Sequence, residues 1–244
     1  MSAMMWIRRI GAAWVCTLAV MFSACSAVRP VSAPSENSSD GDTGTVTVCI
    51  DPGHGFDDVG TDSDYLGDES EKDVTLRIAL ALAARLREQG IEVILTHDGE
   101  SFPTTEEDDE NGVFSPRERI SYANTLDADC LISIHCDSYT ADESVHGTRV
   151  YYSRGTLWSK KSASFAKTLK KSVDSTFPDS KEVLIRDMSV TDAFYVIRSA
   201  GMPSVLVEVG FVTNEGDAAK MLDPDWCGDM AEAMAEAIVQ MFAE

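Results

Sequence analysis

Basic residues are scarce in this chain: 20 Lys and Arg stand against 41 Asp and Glu, a formal net charge of −21. A surface of that sign lacks the cations that displace counterions from a phosphate backbone, which excludes nucleic acid as a partner. It also disfavours unassisted binding to anionic lipid or to other acidic polymers. No pair of cysteines is spaced as CxxC, so a cysteine zinc site is not supported. The apolar stretch IGAAWVCTLAVMF falls short of the ~20 residues a spanning helix needs. No stretch repeats, and no second globular domain is visible. What the chain does have is a hydrophobic content of 44% over 244 residues, enough to bury the core of one sizeable domain.

The N-terminus reads as an address rather than as part of the fold. Arg8 and Arg9 precede the apolar stretch, and the small residues SACSA follow it, the order of a bacterial export signal over residues 1–25. Phe22-Ser23-Ala24 ahead of Cys25 resembles the lipobox of bacterial lipoproteins, although Phe22 stands where Leu is usual. That resemblance implies a lipid on Cys25 and membrane contact through it; plain signal cleavage nearby is the alternative. Residues 26–45, rich in Ser, Pro, Gly and Asp, form a flexible tether. The folded domain spans 46–244. Within it Cys49 and Cys130 lie in or beside apolar runs and are expected as buried thiols. Spacing alone assigns no disulfide.

Along the domain, strand and helix signals alternate. TVTVCI, IEVILT and CLISIH read as strands, the last apolar throughout and therefore covered on both faces. Val74, Ile78, Leu82 and Leu86 recur every four residues, a helix opened by Ser70 and Asp73 and stopped at Gly90. Ser115-Pro116 opens a second helix over RERISYAN. GTRVYYS reads as an edge or later strand, and LWSKKSASFAKTLKKSVDSTF as an amphipathic helix. FYVIR and SVLVEVG read as two more strands. Met230, Met234, Ile238 and Met241 form the stripe of a last helix after Asp223-Pro224. The expected fold is a single α/β domain, a mostly parallel twisted sheet with helices on both faces.

In such sheets ligands bind beyond the carboxyl ends of the strands. Four groups far apart in sequence fall at that edge: His54 after the first strand, Glu71 in the first turn of the next helix, His135 at the end of CLISIH, and Glu208 in VLVEVG. Each alone has an ordinary explanation. Acids are favoured in a first helical turn by the macrodipole, and strand-end histidines are commonly structural. Glu208 is harder to dismiss, because a buried carboxylate needs a partner or a shifted pKa. Two histidines and a glutamate are a familiar catalytic Zn²⁺ set with a fourth position left for water, and a further glutamate can take that water's proton. This chemistry is metal-assisted hydrolysis of an amide or ester. The glycines on either side of His54 are expected to let backbone and substrate come close to the metal.

The ordered motifs IDPGHG, EKDVTL, SIHCDS and FYVIRSAGMPSVLVEVGFVTN, with RERISYAN ahead of the third, resemble the zinc-dependent N-acetylmuramoyl-L-alanine amidases, the Amidase_3 family, from about Val46 to Phe242. The resemblance implies Zn²⁺ held by His54, Glu71 and His135, and Glu208 as general base and later acid. It implies cleavage between the lactyl group of N-acetylmuramic acid and the L-alanine of the peptidoglycan stem, by an exported monomer facing the cell wall. Two departures stand out. Cys136-Asp137 replaces the usual Ala-Asn after the second histidine, and His97 replaces a usual Arg after the second strand. His97 and His146 read as loop and surface histidines. The Asp- and Gly-rich stretch 55–70 either lines the groove or is a solvated loop, and EEDDEN reads as a solvated charge run rather than a Ca²⁺ loop. A peptidase or deacetylase on the same scaffold, or a wall-binding lipoprotein without activity, are the competing readings.

Overall fold

A computed structural model of the chain describes residues 45–102, 115–178 and 194–243, together with the backbone of 184–187. The EEDDEN run lies outside the described residues. Six strands form one sheet: β1 (Thr47–Pro52), β2 (Glu92–Leu95), β3 (Cys130–Asp137), β4 (Arg149–Tyr152), β5 (Leu184–Asp187) and β6 (Ser204–Phe211). Their order is β2-β1-β3-β6-β4-β5. Four of the five pairings are parallel, and β4 meets β6 antiparallel. The mostly parallel sheet read from the sequence is therefore observed, with a reversed pair, β4 and β5, along one side. GTRVYYS supplies β4, which lies inside the sheet rather than at its edge.

Alternation along each strand sorts the two faces. On one, Val48 and Ile50 of β1, Ile132 and Ile134 of β3, and Val205 and Val207 of β6 pack with helices α1 (Glu71–Glu88), α3 (Ser159–Thr176) and α6 (Pro224–Ala243). The expected α1 stripe, Val74 to Leu86, is wholly buried there. Each such Leu or Ile contributes about 1.5–3 kcal/mol relative to exposure. The methionine stripe of α6 joins the same core, with Met241 at its margin. On the other face Cys49 and Leu131 meet Ile120 and Ala123 of α2 (Pro116–Thr125) and Val196 of α4 (Tyr195–Ser199). A short helix α5 (Glu215–Met221) completes the order. FYVIR is thus not a strand: Tyr195–Ser199 is helical and packs across the face that Leu131 presents.

Helix starts follow local chemistry. Ser70 donates from its N–H and its hydroxyl to Asp73 Oδ2, at 2.8 and 2.9 Å, and so fixes where α1 begins. Ser115 does the same toward Glu118, at 2.7 and 2.6 Å, with Pro116 in the first helical position of α2. All four cysteines of the domain are buried and free. Cys136 points into the α1/α6 core, away from its neighbour His135, and burial, followed by the Glu71 and Glu208 charges, pushes its thiol well up.

Candidate metal centre

Beyond Pro52 the chain turns through three successive residues of positive φ: His54 (64°), Gly55 (122°) and Phe56 (54°). The left-handed region costs a residue with a side chain roughly 1–2 kcal/mol, so the turn must be held from outside. Gly53 N–H donates to Ile134 O at 2.8 Å, and Thr75 Oγ1 donates to Gly53 O at 2.8 Å. Gly55 and Asp58 exchange backbone bonds of 2.8 and 3.0 Å, and Lys72 Nζ donates to Phe56 O at 2.7 Å. His97 lies in the loop after β2, as read from the sequence, but is buried beneath this turn with Nε2 3.0 Å from Pro52 O, so it acts as a packed support. Burial also lowers its pKa. The flanking glycines serve a different end from the one their sequence suggested. A Cβ on Gly53 would stand 2.4 Å from the His135 ring, and one on Gly55 2.8 Å from the His97 ring. They make room for two other imidazoles rather than for an open approach.

The turn brings His54 Nε2 to 3.2 Å from Glu71 Oε1, and His135 Nδ1 lies 3.0 Å from the same oxygen. One donor atom from each of the three residues falls within a span of 4.8 Å. Donors at about 2.0–2.1 Å around one tetrahedral ion lie about 3.3 Å apart, so the set fits a single divalent metal. Burial would raise the Glu71 pKa, but the His135 and His54 imidazoles outweigh it and hold the carboxyl far below the usual range. Glu71 Oε1 also accepts from Cys136 N at 2.9 Å and Oε2 from Thr61 N at 2.9 Å, which fixes its plane. Asp58 Oδ2 stands 2.9 Å from His54 Nδ1, the arrangement by which a carboxylate orients a metal-binding imidazole. Within the stretch 55–70, Asp58, Gly60 and Thr61 therefore line the site, whereas Asp62, Asp64, Tyr65, Gly67 and Asp68 are exposed, and a Cβ on Gly60 would meet Glu71 Oε2 at 2.7 Å.

Glu208 is the register partner of His135 on the adjoining strand. It is 6% exposed, and its Oε2 has no hydrogen-bond partner among the described residues. Burial, then the charges of Asp137 and Glu71, push its carboxyl well up, against the pull of Arg149. All four residues singled out in the sequence thus meet at one edge of the sheet. His146 is exposed, as expected. Three groups escaped the sequence reading. Asp58 carries no mark that separates it from the acids around it. Asp51 and Arg119 form a fully buried pair at 2.8 Å, completed by Thr96 and Ser133 on the same carboxylate. The signal was an acid inside an apolar strand. Arg149 faces the site from β4, and only the sheet order places it there.

Residues 48–240 match the Amidase_3 family model, described as N-acetylmuramoyl-L-alanine amidase. The chain belongs to this family. Among amidases it resembles, N-acetylmuramoyl-L-alanine amidase LytC of Bacillus subtilis is 31% identical over 197 residues, 80% of this chain and 35% of LytC. The chain thus spans about a third of that relative. The germination-specific N-acetylmuramoyl-L-alanine amidase of the same organism is 26% identical and covered over 80% of its length. The solved amidase AmiC2 of Nostoc punctiforme superposes with a TM-score of 0.68 at 29% identity, covering 82% of this chain and 99% of that one.

Proposed function

We propose that this member of the amidase family hydrolyses the amide bond between the lactyl group of N-acetylmuramic acid and L-alanine in peptidoglycan, with His54, Glu71 and His135 holding Zn²⁺ and Glu208 as the base. The observation that carries this reading is the three-donor cluster with a buried, partnerless carboxylate one strand away. When bound, Zn²⁺ supplies Lewis acidity toward the amide carbonyl and activation of water at neutral pH. Glu71 stays ionised because two imidazoles face it. Asp58 keeps His54 oriented through Nδ1. Glu208 Oε2 takes the proton of the attacking water and returns it to the alanine nitrogen as the amide bond breaks. Its burial excludes competing partners for that oxygen.

The enzyme works outside the cytoplasm as a monomer, exported by residues 1–25, lipidated at Cys25 and spaced from the membrane by residues 26–45. The supports are the N-terminal pattern and relatives named cell wall amidases. No helix among the described residues is long and apolar enough to cross a membrane. Mass spectrometry of the membrane-extracted protein checks the anchor; an unmodified Cys25 in it rejects lipidation.

The deciding experiment incubates the chain from Val46 onward with purified peptidoglycan, with and without chelator, and identifies the released ends by mass spectrometry. Free stem peptides beginning with L-alanine, lost on chelation and restored by Zn²⁺, are expected. New ends inside the peptide indicate a peptidase instead. No release from a zinc-loaded protein favours a binding role.

A further inference from the structure

The geometry points to Arg149 as the residue that reads the stem peptide: its guanidinium receives the free α-carboxylate of the acidic residue that follows L-alanine. The inference rests on the muramyl-peptide reading above. His135, Glu208 and Arg149 are register partners on the three adjacent strands β3, β6 and β4. Their side chains therefore leave the sheet in one row, about 4.8 Å per strand. The row runs from a metal-site histidine, through the buried carboxylate, to a cation.

That cation is held ready for a planar ligand. Arg149 Nη1 donates to Asp137 Oδ2 at 3.0 Å, and its Cζ lies 4.4 Å over the Phe211 ring. These two contacts set the plane of the guanidinium. Asp137 uses one of its five N–H donors, and 20% of the side chain reaches solvent. Among the described residues, two other cations near the site are engaged elsewhere: Arg119 on buried Asp51, and Lys72 on the backbone of the His54 turn. In a chain of net charge −21, a cation at this point runs against the overall sign. A stem peptide carries its first free carboxylate on the second residue, about 6 Å from the scissile nitrogen. That span matches one to two strand spacings from Glu208. A guanidinium fork binds such a carboxylate in bidentate fashion, which a carboxamide cannot imitate.

The test compares two muramyl peptides that differ only in whether this group is the carboxylate (isoglutamate) or its amide (isoglutamine), using zinc-loaded full-length enzyme in detergent. The carboxylate form is expected to have the higher kcat/KM, by at least about tenfold. Arg149 also pulls on Glu208, so Arg149→Gln should slow both substrates but the carboxylate one more, which closes the gap, and Arg149→Lys should restore part of it. Zinc content and circular dichroism report whether the variants fold. Equal rates on the two substrates in the wild type overturn the inference, as does a gap that survives in Arg149→Gln. Cleavage of neither substrate, or at another bond, overturns the muramyl-peptide reading itself and the inference with it.

Discussion

Glu208 concentrates the chemistry of the site in one side chain. Its position on a central strand removes most of it from bulk water, and its neighbours Asp137 and Glu71 add like charge. As the proposed base it would be reactive there because its Oε2 has no hydrogen-bond partner among the described residues. Glu208→Gln keeps the shape and removes the base, so kcat should fall by about 10²–10⁴ while zinc content, read by plasma mass spectrometry, stays at wild-type level. Wild-type turnover in this variant rejects the assignment. The same carboxyl predicts a stability signature in the metal-free protein. A carboxyl whose folded pKa is raised contributes stability that is fully present below the ordinary carboxylate range and lost as pH rises through the raised value. Chelated wild type should therefore lose stability relative to Glu208→Gln as pH moves from acid to neutral. Urea titrations at several pH values measure that difference; a constant offset would mean the carboxyl is not held neutral.

The site is assembled by elements that each carry a backbone constraint. Gly60 and Gly67 both sit at positive φ, 71° and 64°, in the loop that covers the donors. Only Gly60 is crowded, by Glu71 and His54; nothing lies near Gly67. Gly67→Ala should cost the strain of this glycine-favouring backbone (φ 64°, ψ −118°) alone, about 1–3 kcal/mol, and leave zinc affinity unchanged. Gly60→Ala should weaken zinc binding as well, measured by chelator competition. Equal affinities in the two variants would mean that the loop does not seat Glu71. The Asp51–Arg119 pair ties β1 to α2, and Arg119→Met, which strands a buried carboxylate, should lower stability by about 3–5 kcal/mol in denaturant melts. A loss within ~0.5 kcal/mol would show the carboxylate finding another partner or its proton. Elements of this kind differ in how far the sequence reveals them. β1, β3 and β6 were legible because strands covered on both faces are apolar throughout, and α1 because its stripe repeats over four turns. FYVIR misled because a run of four apolar residues before Arg198 fits a strand or a buried helical turn equally, and packing against Leu131 decides between them. β5 has four residues and pairs only with β4. The meeting of the four candidate residues at one sheet edge was legible from the strand-edge rule and the family motifs. The supports were not: His97, Asp58 and Arg149 gain their roles from contacts between segments 40 or more residues apart, or from a turn whose shape no pattern announces.

At the scale of the whole molecule the net charge of −21 faces an acidic wall. Long-range repulsion is screened as the Debye length falls from ~30 Å at 0.01 M salt to ~8 Å at 0.15 M. Digestion of isolated walls by the chain from Val46 onward should therefore speed up over that range, while turnover of a small muramyl peptide changes little. A slowing on walls would reveal an attractive patch that the net charge conceals. The lipid anchor proposed on Cys25 would make the repulsion tolerable in the cell, since it would hold the enzyme beside its substrate whatever the salt. The reversal of β4 has another consequence. Glu208 and the three donor residues hang on parallel strands and the helix that follows the first of them, whereas Arg149 arrives on a strand that runs opposite to β6, after the largely exposed stretch 138–146. The bond-breaking half of the cleft and its recognising half are therefore separate inheritances of the chain. Lengthening or shortening that one stretch can move the recognising half without unseating the other, so a single scaffold can be refitted from one stem peptide to the next by exchanging a loop.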